Sequence, residues 1–247
     1  MIFRKKFFLA SILLLFSTLF IFPKNQISFF TGINYNEEAY TVIYQTQLAP
    51  KFSFGFVNEK TVGYFILSNS ISFDFLIWNF YYKNNYLYFT DKTLSVDSPI
   101  EYNFRVLFPS YSSVKFIFGA GVSYNTRFDR YSMGKYFWYS RLKIEPLLFG
   151  SLGLDFKIYF LIVSLRESLG YLVSTFFLFN KEEFFLYTFT NNLFHRIDLS
   201  FIFKINSRIG LVIKWTNKYN WYNDLSIYIT NYMSFQNTFS IGLDYEL

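Results

Sequence analysis

Over 193–205, 208–218 and 234–247 the chain sets a largely apolar row of alternate positions against a more polar one. Over 193–205 the odd positions are Leu193, His195, Ile197, Leu199, Phe201, Phe203 and Ile205, while the even ones include Arg196, Asp198, Ser200 and Lys204. A period of two is that of an extended strand whose two faces meet different media. Asn206 and Ser207 interrupt it as a tight turn. The pattern then resumes with Ile209, Leu211, Ile213 and Trp215 opposite Arg208, Gly210, Lys214, Thr216 and Lys218, which predicts a hairpin. Over 234–247, Phe235, Phe239, Ile241, Leu243, Tyr245 and Leu247 oppose Ser234, Gln236, Thr238, Ser240, Gly242, Asp244 and Glu246. Over 141–157, Leu142, Ile144, Leu148, Leu152, Leu154 and Phe156 oppose Arg141, Lys143, Glu145, Ser151, Gly153 and Asp155.

Weaker alternation covers 27–35, 40–57, 62–80, 100–108, 114–125 and 158–171, and with the four strong segments it makes ten strands. Short breaks fall at 58–61, at 109–113, around Lys157 and at 206–207; long ones fall at 81–99 and 173–192. The stretch 176–190 is aromatic enough to hold a further hairpin, so eight and twelve strands are the alternatives to ten. One row carries large apolar side chains and the other Arg, Lys, Glu, Asp, Ser and Gly. A water-soluble sandwich or lipocalin-like barrel would have to bury both. After residue 26 no run of eighteen apolar residues offers a membrane helix. The expected fold is therefore all-β: a closed antiparallel transmembrane β-barrel of about ten strands over 27–247, with one row to lipid and the other to the lumen.

The first 26 residues read differently. Arg4, Lys5 and Lys6 precede an apolar run over 7–22, the charged and hydrophobic regions of a secretory signal. Sixteen residues fall short of the ~20 that span a bilayer as a helix. Pro23, Lys24, Asn25 and Gln26 end the run, so 1–26 is read as a signal peptide cleaved between residues 23 and 27. Its removal takes Arg4, Lys5, Lys6 and Lys24 from 23 basic residues, leaving 19 against 17 acidic ones, a net charge of +2. So small an excess gives no case for a nucleic-acid partner. The absence of cysteine excludes disulfides, thiolate metal sites, a cysteine nucleophile and lipid attachment to an N-terminal cysteine. No cofactor is expected. The 36 Phe and 22 Tyr add nothing by themselves, since AT-rich codon usage also enriches them.

Ser240, Gly242, Tyr245 and Leu247 form a polar-x-Gly-x-x-hydrophobic-x-hydrophobic ending. It resembles the terminal-strand signal read by β-barrel insertion machinery, with Leu247 where an aromatic residue is usual. Gly119, Gly121 and Tyr124, and Gly153 with Phe156, are similar to the glycine-aromatic strands of small bacterial outer-membrane barrels. The resemblance implies a place in the bacterial outer membrane, with outer-membrane lipid and the insertion machinery as partners. Short turns would then be periplasmic, and long loops outside would be available to an extracellular ligand.

Enzymes among such barrels resemble one another in pairing a His with Ser, Asp or Glu. The single histidine, His195, has Asp198 and Ser200 on the opposite face of its own strand, so it reads as a polar residue at the lipid interface. Without a second histidine or a cysteine, no transition-metal site is expected. Glu37 with Glu38 and Glu182 with Glu183 fall in predicted loops as solvated charge. The candidate lumen set is Arg105, Lys115, Arg141, Lys143, Glu145, Arg166, Arg196, Asp198, Arg208 and Lys214, opposed by acids such as Asp74, Glu101, Asp155 and Asp244. Such residues either pair and plug a small barrel or line a narrow, weakly anion-preferring pore. The expected role is non-enzymatic, structural or surface-interacting through the loops. A porin-like small-solute channel is the alternative, and an envelope-lipid enzyme the third reading.

Overall fold

The computed structural model describes residues 24–40, 44–81, 92–111, 113–133, 137–179, 183–188, 191–223 and 232–247. Among these described residues the regular elements are twelve strands: β1 (Lys24–Tyr40), β2 (Tyr44–Val62), β3 (Phe65–Tyr81), β4 (Lys92–Tyr111), β5 (Val114–Met133), β6 (Phe137–Ile158), β7 (Leu161–Leu172), β8 (Ser174–Phe179), β9 (Glu183–Thr188), β10 (Asn191–Lys204), β11 (Ile209–Asn223) and β12 (Tyr232–Glu246). β1 to β7 pair in succession, β7 pairs with β10, and β10, β11 and β12 follow. β12 returns to β1 over Gln26↔Glu246 to Tyr40↔Tyr232, which closes a ten-stranded antiparallel barrel. Closure pairs the backbone of both terminal strands, so the wall has no open edge.

The two extra strands form the hairpin that the aromatic stretch 176–190 made an alternative. They add no stave. β8 continues β7 beyond Val173 and pairs with Arg141–Ile144 of β6, while β9 pairs with β8. The register along β6 slips by one residue between Leu147↔Leu172 and Ile144↔Phe176. Pro146 lies in that gap and has no N–H to give the ladder; its carbonyl accepts from Val173 N at 2.9 Å.

Side-chain alternation follows the expected parity. Phe29, Ile33, Phe52, Leu152, Phe239 and Ile241 point outward and are exposed, whereas Asn34, Ser123, Ser164, Ser168, Thr238 and Ser240 point inward and are buried. An outer wall covered in exposed Phe, Ile and Leu has no counterpart on water-soluble monomers. It matches the apolar band of a membrane barrel. Outward aromatics also meet across strands, as Phe29 does with Phe54 (5.1 Å) and Phe65 with Phe104 (5.6 Å). Inward, small residues make room for large ones: a Cβ on Gly121 would come 2.7 Å from the Phe149 ring.

Boundaries differ from the alternation in several places. Residues 58–61 are not a break but the end of β2, where Asn58 Nδ2 donates to Asn69 Oδ1 of β3 at 2.7 Å. The turn is Gly63–Tyr64 instead, with Gly63 at φ 59°, a conformation that glycine adopts without strain. β4 begins at Lys92, well inside the expected long loop 81–99. Glu37 and Glu38 lie in β1, not in a loop, and Glu37 accepts a hydrogen bond from Tyr35 Oη. β1 begins at Lys24, before the expected mature start at 27, and residues 1–23 lie outside the described set. Glu182 is also outside it, while Glu183 opens β9.

β4 and β5 have 20 residues each and β6 has 22. About 9–11 residues cross a bilayer as a tilted strand. These staves are therefore long enough to stand well clear of the membrane on the loop side.

Candidate functional site: the lumen and the outer wall

Many of the inward-pointing charges are joined into pairs. Arg196 of β10 reaches Glu101 of β4 across the lumen, Nη1 to Oε1 at 2.5 Å and Nη2 to Oε2 at 3.3 Å. Three staves separate β10 from β4 around the wall on that side, so this contact is a bridge through the interior, not along a ladder. The Arg196 guanidinium also meets Asp198 Oδ2 at 2.9 Å and lies 5.9 Å from the Phe149 ring centroid. Asp198 in turn accepts from Thr216 Oγ1 at 2.6 Å and faces Lys214 Nζ at 3.4 Å. Bidentate guanidinium–carboxylate pairing gives direction as well as charge neutralisation, which a mostly buried pair requires.

Further pairs line the interior. Lys51 meets Asp74 at 2.6 Å, Lys143 meets Glu145 at 2.5 Å, and Arg127 meets Asp97 at 3.6 Å. Nearer the turns, Arg105 binds Glu59 at 2.9 Å and Ser68 at 3.1 Å. Arg166 binds both oxygens of Asp155 at 3.1 and 3.2 Å, and Ser164 donates to the same carboxylate. Apolar side chains share this interior: Leu76, Ile117, Leu147, Phe149, Phe194 and Val212 are all buried.

Arg105, Lys143, Glu145, Arg166, Arg196, Asp198 and Lys214 thus point into the lumen. Lys115 shares their parity but is exposed at the rim, near the turn that precedes β5. Arg208 is a correction: it belongs to the exposed turn 205–208, where its backbone N donates to Asn206 Oδ1 at 2.8 Å, and it lines no lumen. Arg141 stands opposite Asp129 in the β5–β6 ladder, and its side chain is outside the described set. At the C-terminus Ser240 and Gly242 face inward while Tyr245 and Leu247 are exposed on the outer row. Gly242 sits opposite Phe30, whose ring occupies the space a Cβ would need. Leu247 N donates to Asn25 O at 2.9 Å, extending the seam to the last residue.

The outer wall holds a polar contact that alternation within a single strand does not reveal. His195 points outward, and its Nε2 is 2.9 Å from Oε1 of Glu167, which stands on the outward row of β7 between Leu165 and Leu169. A single acidic residue in an otherwise apolar row was the available signal. Only the β7–β10 register shows that it meets the histidine.

Among solved structures, the outer-membrane protease OmpT of Escherichia coli superposes with a TM-score of 0.58 at 8% identity, over 91% of this chain and 97% of that one. The fold is that of a bacterial outer-membrane β-barrel. Neisserial surface protein A (TM-score 0.39, 11% identity, 90% and 97% covered) and the Pseudomonas putida toluene transporter TodX (0.31, 6%, 91% and 90%) align over similar shares. No protein-family model matches this barrel's sequence, and no curated protein matches it by sequence.

Proposed function

We propose that the protein is an integral barrel of the bacterial outer membrane whose lumen is closed by ion pairing, and that it serves a structural or surface-interaction role through its loop end. The observation that carries this reading is the Arg196–Glu101 bridge, which ties opposite walls together and is continued by Asp198, Thr216 and Lys214. A solute path would have to break this network and leave a carboxylate or guanidinium unpaired in a poorly hydrated interior, a large cost. The long staves support display of loops above the membrane. The enzymatic reading has a His–acid pair in His195 and Glu167, but Ser164 and Ser168 of β7 face the lumen, away from that pair.

Planar-bilayer recordings test the proposal. The refolded mature protein is expected to be electrically silent, and Arg196→Ala with Glu101→Ala to produce stepwise openings. Openings by the unaltered protein would favour the narrow, anion-preferring channel instead.

Insertion by the β-barrel machinery is part of the same reading. The outward Tyr245 and Leu247 on the closing strand support it. Replacing both by Ser should reduce the yield of heat-modifiable barrel far more than replacing Asp244 and Glu246, and equal losses would remove the terminal signal from the account. Since β1 pairs from Lys24, cleavage just after Pro23 would keep the strand whole; N-terminal sequencing of the exported chain checks this.

A further inference from the structure

The outer wall is not uniformly filled. From β3 through β7 to the start of β10 it carries an open apolar depression of about 920 Å³. Its floor is Ala120 and Gly150, which are register partners on β5 and β6, and its sides include Phe104, Leu148, Leu169 and Leu193. Gly150 leaves real space: a Cβ built there meets nothing nearer than Gly119 O at 3.9 Å. The volume lies in the range of small-molecule sites, ~300–1,000 Å³.

One border of this depression is polar. Leu169 of its lining is the register partner of His195 and stands two residues from Glu167 on the same outward row, so the His195–Glu167 pair lies next to the lining without being part of it. Glu167 has a side chain 49% exposed. Its Oε1 takes the bond from His195, while Oε2 has no hydrogen bond among the described residues. An ionisable group facing hydrocarbon is costly and calls for a partner of its own. A carboxylate with one oxygen outside that bond, beside an apolar trough, is complementary to an amphiphile with a cationic head and a hydrocarbon tail.

We infer that this face binds one membrane lipid with an ammonium head group, its acyl chain in the depression floored by Ala120 and Gly150 and its ammonium donating to Glu167 Oε2. His195 holds the carboxylate toward the depression by donating to Oε1. The inference rests on the barrel being inserted in a membrane, but not on whether the lumen is closed.

The test uses the mature barrel refolded into vesicles of equal parts phosphatidylethanolamine and phosphatidylglycerol, extracted in mild detergent and weighed by native mass spectrometry. One phosphatidylethanolamine should remain per barrel, about tenfold preferred over phosphatidylglycerol, as for loss of a charge-assisted contact. Gly150→Leu, or Ala120→Leu if the first variant does not fold, should lower retention of either lipid about tenfold. Glu167→Gln should erase the preference while lipid is still retained, and Ile241→Leu on another part of the wall should change neither. Equal retention by all four proteins would overturn the lipid site. So would an effect of Glu167→Gln with none of Gly150→Leu, which would point to a soluble amine. A two-chain mass abolished by Gly150→Leu would assign the depression to a second copy and likewise overturn the inference. A heat-modifiable gel band checks insertion separately, so failure to insert counts against the membrane reading and not against the site.

Discussion

His195 and Arg196 are neighbours on β10 and live in different media. Arg196 points into the lumen, where two carboxylates, a ring face and water-poor surroundings hold it from several sides. His195 points to the outer wall and meets one partly exposed carboxylate. Both are cation-capable side chains with acidic partners, and local composition does not separate them. The difference is one step along a strand, which rotates a side chain from one face of the wall to the other. The number of partners then sets the worth of the contact: removing Arg196 strands two carboxylates inside the lumen, whereas removing His195 takes one bond from a single half-exposed carboxylate.

The strongest challenge to that contrast is truncation of Arg196. Arg196→Ala should destabilise the barrel by about 3–5 kcal/mol, because Glu101 and Asp198 lose their shared partner. Urea unfolding in lipid vesicles measures it. Replacing Arg196 and Glu101 together by Leu should recover much of the loss, since no unpaired charge remains between them. If Arg196→Ala costs no more than His195→Ala, the lumen network has no special weight.

A slightly smaller effect is expected from charge placed on the lipid side. Leu199→Arg or Ile213→Arg should cost roughly 2–4 kcal/mol near the bilayer midplane. Ser200→Arg, one residue from Leu199 and facing inward, should be much milder. Similar costs at Leu199 and Ser200 would break the inside and outside assignment of β10.

The smallest effect belongs to the outer pair. His195→Ala should cost about 1–2 kcal/mol, the low end for a single hydrogen bond to a charged group. The same unfolding series detects it, and a loss of several kcal/mol would mean that the pair fastens β7 to β10 as firmly as the lumen network ties β10 to β4.

Much of the barrel was legible in 193–247, because a strand between lipid and lumen must alternate and each face then records its medium. Arg105, Lys143, Arg166 and Arg196 were recognisable as inward residues from parity alone. Arg208 was not distinguishable from them, since an exposed turn residue can share the parity of the strand beside it. Asn58 read as the start of a break for the opposite reason: a polar residue that suits a turn here bonds to Asn69 on the neighbouring strand. The stretch 173–192 read as a long break able to hold a further hairpin, but where that hairpin docks was not legible, because only a one-residue slip at Pro146 and Val173 lets β8 pair with the far end of β6.

The sequence by itself determined which side of the wall each residue in the regular segments would face, because facing is a property of consecutive residues and repeats every two. Only the tertiary structure decided the partners. Arg196 meets an acid 95 positions away, and His195 one 28 positions away. Those meetings depend on how many staves close the barrel and on the stagger between them, and both are properties of the closed ring, set when β12 pairs with β1.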